Sequence, residues 1–207
     1  MYTIYTIPGS CSSGITVLLE KLKVEYTAIK REDIDNYSEI VPTNQVPALK
    51  TEEGQIITEG GAIVLYLLEK HGADLQPKNL SQKAEFYKWL FFDYATLHPA
   101  YAKVFAVSKK IDIDNKEEVL QLLADDISKL WAILDAELKN KQFILGDEPT
   151  IVDYLATIYS SWGNYFPNVR VTLGNNVQRL VDEISNLPEF QSAYAKENAQ
   201  FKKASTL

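Results

Sequence analysis

Cysteine occurs once in this chain and histidine twice, and both shortages exclude something. A single cysteine has no partner for an internal disulfide, as in proteins of a reducing compartment, so a cytoplasmic location is expected. One cysteine and two isolated histidines, without ligand spacing, do not make a metal site. Positive charge is short as well: 21 Lys+Arg stand against 28 Asp+Glu, a net charge of -7. Lys109-Lys110 and Lys202-Lys203 are only pairs, so no nucleic-acid surface is expected. Long apolar runs are missing: the one from Ala62 to Leu68 stops at Glu69-Lys70, which predicts no membrane span. The N-terminus lacks the basic region and apolar stretch of a signal peptide. Internal repeats and low-complexity tracts are absent too. What remains is a chain of 207 residues, long enough for one large domain or two small ones with their own cores.

The informative stretch is Tyr5-Thr6-Ile7-Pro8-Gly9-Ser10-Cys11-Ser12-Ser13. It joins the apolar run Tyr2 to Ile7 to a helical pattern in which Ile15, Leu18, Leu19 and Leu22 recur on one face. Pro8-Gly9 is a turn signal, and Ser10, Ser12 and Ser13 offer hydroxyls to cap the new helix. The only cysteine, Cys11, therefore falls at or beside a helix N-terminus. Two readings stand side by side: a thiolate stabilised by the helix end, or a small buried packing residue.

Val24 to Ile29 has partial β character, which implies a right-handed parallel crossover from the first strand. Arg31 to Asn44 is polar and reads as a loop. Val46 to Lys50 and Gln55 to Thr58 flank Thr51-Glu52-Glu53-Gly54, a hairpin signal. From Glu59 the pattern turns helical, ending near His71-Gly72. Ala73 to Leu80 has no periodicity and is the expected linker. Everything after it reads helical, with stripes Val119, Leu122, Leu123, Ile127, Leu130, Leu134, Leu138, then Ile151, Leu155, Ile158, Trp162, then Val177, Leu180, Val181, Ile184. Thr150 and Asp153 have the spacing of a capping box, which makes Asp153 structural. His98 precedes Pro99, a pairing that predicts a kinked or ended helix. The aromatic run Phe86 to Tyr94 exceeds what one helical face buries, so a homodimer interface or an acceptor pocket is expected there.

This order of elements and these motifs resemble the cytosolic glutathione transferases, nearest to the bacterial beta class. Tyr5 to Ser12 is similar to that class's N-terminus, Gln45-Val46-Pro47-Ala48-Leu49 to its proline segment, and Thr58-Glu59-Gly60-Gly61-Ala62-Ile63 to its glutathione-binding turn. Thr150 to Asp153 resembles the family's folding motif, and His98 and Trp162 fall where the beta class carries a histidine and a tryptophan. The resemblance implies an α/β plus all-α fold: a thioredoxin-like βαβ-ββα domain over 1–72, a linker over 73–80 and a helical bundle over 81–207.

It also implies a function: a detoxifying enzyme that adds glutathione to hydrophobic electrophiles, or a glutathione-dependent thiol transferase, or both. Glutathione would be a co-substrate and no cofactor is implied; the other partner would be a small electrophile or a disulfide. Cys11, Ser12 and His98 would be catalytic. Val46, Pro47, Glu59 and Gly60 would hold glutathione. The family's cis bond before the proline would turn the Val46 backbone towards the cysteinyl unit. Glu59 and the helix start behind it would take the γ-glutamyl end. Phe91, Tyr101 and Trp162 would line the electrophile site. Without Cys-x-x-Cys, thiol transfer would be monothiol chemistry with a second glutathione. The chain departs from the beta class at Ile15-Thr16, at Thr43-Asn44 where a lysine is usual, at Phe91 where an asparagine reaches across the dimer, and at Pro99. The loss of that lysine weakens the expected grip on the glycine carboxylate. The alternative is a transferase-like binding or interaction module without catalysis.

Overall fold

A computed structural model describes residues 1–204. By its contacts the chain divides into two units: Met1–Ala84 with Ser185–Phe201, and Glu85–Ile184 with the residues from Lys202 onward.

The first unit opens as a βαβ-ββα arrangement: β1 (Tyr2–Thr6), α1 (Cys11–Lys21), β2 (Tyr26–Lys30), a single turn α2 (Tyr37–Ile40), β3 (Ala48–Lys50), β4 (Ile56–Thr58) and α3 (Gly60–His71). The strands are ordered β2-β1-β3-β4. β1 is central and buried except at Thr3, with Tyr2, Ile4 and Tyr5 in the core and Thr6 buried beside them. It pairs parallel with β2, which requires the α1 crossover, and antiparallel with β3; β3 and β4 form a hairpin. Gly54 closes that hairpin at φ 87°, a conformation glycine adopts without a Cβ clash. The stretch read as a loop contains α2, because Tyr37 buries its ring against Tyr5, Val41 and Ala48.

The register places four strand ends in one row. Thr6 lies opposite Lys30, Tyr5 opposite Ala48, and Ala48 opposite Thr58. The residues that continue from those ends, Arg31, Ile7, Pro47 and Glu59, therefore emerge along one edge of the sheet.

In the helical part, α4 (Leu80–Phe91) is followed by a π-helical segment, Phe92–Leu97, and then α5 (His98–Lys110), α6 (Lys116–Glu137), α7 (Ile151–Ser160) and α8 (Asn175–Ser185). α7 is buried over its whole length and lies in the core of the second unit. Its capping box is present: the Asp153 carboxylate accepts from the Thr150 amide at 2.8 Å, the Thr150 hydroxyl at 3.0 Å and the Ile144 amide at 2.8 Å. The buried face of α6 is Leu120, Ala124, Ile127, Trp131 and Leu134. The stripe read from the sequence was displaced by a residue at its start, since Leu122 is 60% exposed; fully buried Trp131, bonded to Tyr101, sets which side faces in. His98 does not end a helix. It sits in the right-handed helical region at φ -56° and ψ -49°, and the π-turns before Pro99 accommodate the missing amide.

The last helix, α9 (Pro188–Lys196), belongs to the first unit and lies along α1. Lys21 pairs with Glu189 at 3.1 Å, and Glu20 takes Lys196 together with a 2.7 Å bond from Ser192. Contacts thus group this helix with the sheet, whereas the linker and domain limits read from the sequence place it in a bundle over 81–207.

Candidate functional site

The turn before Cys11 is held by its own serines. Gly9 takes φ 77°, and the Ser10 hydroxyl caps α1 by accepting the Ser12 amide at 3.2 Å. The buried Ser12 hydroxyl faces back into the turn, bonded to the amide and carbonyl of Ile7, both at 3.1 Å, and to the Ser10 hydroxyl at 2.8 Å. It is therefore committed to holding the loop. Ser13 accepts the Gly9 amide at 2.9 Å.

Cys11 is the first residue of α1 and only 5% exposed. Its Sγ faces the Val46 carbonyl at 3.7 Å. Burial pushes the thiol up to about 12; the amides of Cys11 and Ser12 and the Ser10 hydroxyl pull it down, and the Glu59 charge adds to the rise. Of the two sequence readings, desolvation therefore outweighs the helix end, and the thiol is protonated at neutral pH. That reverses the depressed value expected of an exposed helix-terminal cysteine. Ser10, named in the sequence only as a cap, is the side chain that stabilises this sulfur.

The Val46-Pro47 bond is cis. Two side chains fix the segment leading into it. The Tyr37 hydroxyl donates to the Gln45 carbonyl at 2.9 Å, and Arg31 Nε donates to the Asn44 carbonyl at 3.1 Å while its guanidinium lies over the Tyr37 ring at 5.6 Å. Nothing in the local sequence signalled Arg31, since it comes from the far side of the loop.

At the other flank Glu59 is exposed and holds φ 65° and ψ 113°, a left-handed conformation uncommon outside glycine. Backbone strain of this kind collects at ligand sites. Directly behind it Gly60 opens α3, whose first-turn amides have no side-chain cap and no acidic neighbour within the helix. Such an end attracts a carboxylate. Cys11, Val46, Pro47, Glu59 and Gly60 thus share one edge of the sheet.

The remaining candidates lie in the second unit. His98 is ringed by Tyr159 at 5.8 Å and Trp162 at 5.4 Å, and burial lowers its pKa. Tyr101 also touches Trp162, at 5.5 Å, but is fully buried, accepts the Trp131 indole N–H at 3.0 Å and has its pKa raised by desolvation. It is a core residue of the bundle. Trp162 is 6% exposed, whereas Phe91 is 52% exposed at the end of α4, outside that ring cluster. Among the described residues no group of three or more His, Cys, Asp or Glu is placed to hold a metal ion, and no helix is long and apolar enough to cross a membrane.

Two family models match the chain: the glutathione S-transferase N-terminal domain over residues 13–77 and the C-terminal domain over 97–188. Glutathione S-transferase GstA of Escherichia coli O157:H7 is 26% identical over 200 residues, 92% of this chain and 96% of that one. The disulfide-bond oxidoreductase YghU of Escherichia coli K12 is 30% identical over 176 residues, 78% of this chain and 60% of that one. Among solved structures, a glutathione transferase homologue from Sulfitobacter with bound glutathione superposes with a TM-score of 0.82 at 18% identity, covering 95% of this chain and 98% of that one. A beta-class glutathione S-transferase of Sphingomonas chungbukensis gives 0.80 at 20% identity, covering 96% and 100%.

Proposed function

Because the chain belongs to the glutathione S-transferase family, we propose that it binds glutathione along the open edge of its sheet and adds the sulfur to a small hydrophobic electrophile. The observation that carries this reading is the row Arg31, Ile7, Pro47, Glu59 across the four strand ends, with Cys11 set against Val46 beside it. Strands about 4.8 Å apart make the row about 14 Å long. That suits an extended tripeptide, at about 3.5 Å per residue and lengthened by a γ-linkage.

In this reading the uncapped amides of α3 take the γ-glutamyl carboxylate and Glu59 takes its ammonium. The Val46 main chain pairs with the cysteinyl unit as an added strand. The glycine carboxylate falls to Arg31, which supplies a cation beside the Asn44–Val46 segment although Thr43 and Asn44 carry none. The amides of Cys11 and Ser12 and the Ser10 hydroxyl, which pull the Cys11 thiol down, stabilise a glutathione thiolate lodged beside it. Cys11, protonated, donates its S–H to that thiolate. The thiolate then attacks the electrophilic carbon, a C–S bond forms and the leaving group departs with the displaced electron pair. His98, half-buried beside Trp162, is the candidate for a catalytic role within the second unit. Conjugation of this kind serves detoxification in the cytoplasm, and exposed Tyr87 and Phe91 on α4 support a homodimer of the beta-class type.

A second reading, reduction of disulfides through a Cys11–glutathione mixed disulfide, is favoured by the relative named a disulfide-bond oxidoreductase. The raised Cys11 pKa weighs against it. The deciding experiment measures glutathione conjugation to a nitro-activated aryl halide. A rate that saturates in glutathione and is lost in Glu59→Ala is expected; a rate equal to the uncatalysed one rejects the proposal.

A further inference from the structure

Between α2 and β3 the chain runs through four consecutive exposed residues, Pro42, Thr43, Asn44 and Gln45, before it reaches Val46. Asn44 stands at φ 59° there, outside the regions that most side chains prefer. A segment this exposed has little apolar contact to order it. Its backbone is held by hydrogen bonds instead. The Asn44 amide donates to the Val41 carbonyl at 2.8 Å, Arg31 Nε to the Asn44 carbonyl at 3.1 Å, and the Tyr37 hydroxyl to the Gln45 carbonyl at 2.9 Å.

Of the two side chains, Tyr37 is the one rooted in the core. It is 3% exposed, and its ring packs with Tyr5, Val41 and Ala48, edge-on to Tyr5 at 5.5 Å. Burial pushes its phenol up to about 12, so the hydroxyl stays a donor through the neutral range. The Gln45-Val46 peptide that it grips is trans, so the carbonyl and the N–H lie in one plane and point in opposite directions. Holding the Gln45 carbonyl therefore also sets where the Val46 N–H points.

We propose that Tyr37 is a positioning residue for the thiol substrate: through the Gln45 carbonyl, its hydroxyl aims the Val46 N–H at the cysteinyl unit. The inference rests on the glutathione reading and adds to it a residue that acts through the backbone. An N–H aimed in advance spares the substrate the cost of ordering this peptide, so the gain falls on affinity. The same bond is present in the ground state and in the transition state, so the chemical step is unaffected. Glutathione and γ-glutamylcysteine share the cysteinyl unit, and both depend on Tyr37 alike. Arg31, at the glycine end, tells them apart.

Steady-state kinetics of the full chain with each thiol, for the parent and for Tyr37→Phe, test the assignment. The substitution keeps the ring in the core, under Arg31 and beside Tyr5, and removes only the oxygen. Its melting temperature checks the fold, and assays well below that temperature keep any loss of stability out of the comparison. KM for glutathione should rise about tenfold with kcat unchanged, and KM for γ-glutamylcysteine by the same factor. An unchanged KM, with lower stability alone, would make Tyr37 a packing residue and overturn the inference while the glutathione reading stands. A rise confined to glutathione, or a fall confined to kcat, would overturn it as well. A parent protein whose rate saturates in neither thiol would remove the glutathione reading and this inference together.

Discussion

The Ser13 hydroxyl donates a 2.6 Å hydrogen bond to the carboxylate of Glu197, 184 residues further along the chain. Thr16 donates to the same carboxylate at 2.9 Å, and Ser13 in turn accepts the Gly9 amide. The turn that presents Cys11 is thereby tied to the segment following α9. Ser13→Ala and Glu197→Ala should each destabilise the protein by about 1–3 kcal/mol, because each leaves a buried polar partner unpaired. Urea unfolding of the two single variants and the double variant measures the coupling; additivity within about 0.5 kcal/mol would mean that the bond contributes nothing of its own.

Asp93 lies in the π segment, 2% exposed, with one carboxylate oxygen lacking a partner among the described residues. Burial, and then the Asp153 charge, raise its pKa well above 3.8. A group whose folded pKa is raised stabilises the fold fully below its unfolded pKa and loses that contribution as pH rises through the folded value. Asp153, pushed up to about 6 by burial, loses its contribution between about pH 4 and pH 6 by the same linkage. Asp93→Asn cannot titrate at this position, so it should gain on the parent protein as pH climbs from 4 to 7. Parallel stability-against-pH curves for the two proteins would contradict the assignment.

Iodoacetamide should alkylate Cys11 slowly at neutral pH, with a midpoint above the free-cysteine value of about 8.5. Cys11→Ala should keep glutathione conjugation within about tenfold, since the nucleophile is the substrate's own sulfur and backbone amides still stabilise it. Any disulfide reduction should vanish in the same variant, because no second cysteine can take over. A midpoint below that of free cysteine, with conjugation abolished, would reverse the roles.

Arg31→Ala should raise the KM for glutathione about tenfold, equivalent to about 1.4 kcal/mol, with kcat unchanged. γ-Glutamylcysteine, which lacks the glycine carboxylate, should not distinguish the variant from the parent, and Arg31→Lys should recover part of the loss. Equal penalties for both thiols would remove Arg31 from the glycine end.

Tyr87 is 39% and Phe91 52% exposed on α4, an aromatic surface suited to pairing about a two-fold axis. Sedimentation at micromolar concentration should give a dimer, and Phe91→Glu should shift it towards monomer. A parent protein that sediments as a monomer would refute the interface.

The N-terminal order of elements was legible because its boundaries are chemical: Pro8-Gly9, Thr51 to Gly54 and His71-Gly72 each carry a turn or stop signal. Cys11 was placed correctly at the start of α1, but its thiol was not, since burial by the fold outweighs the local helix end. The return of α9 to α1 went unseen because it depends on polar pairs such as Ser13 with Glu197, which leave no periodicity. The face of α6 was misjudged where Leu122 suits either side and the bulk of Trp131 decides. Arg31 escaped notice for a related reason. Its role appears only once Tyr37 and Asn44 are brought beneath it.

The π segment has one further consequence. Between Phe92 and Leu97 the amide ladder closes one residue late, so that the His98 amide reaches the Asp93 carbonyl. Each residue of an α-helix advances the angle by about 100°, so this stretch resets the phase of everything after it. α4 and α5 form one helical run with two angular settings. Forcing 92–97 into α geometry with every residue kept would swing His98 and Tyr101 away from Trp162 together by about 100°, although neither had been altered, whereas excising one residue would heal the ladder and leave both in place. The angular position of His98 is therefore encoded in the wide turn before it as much as in the histidine itself.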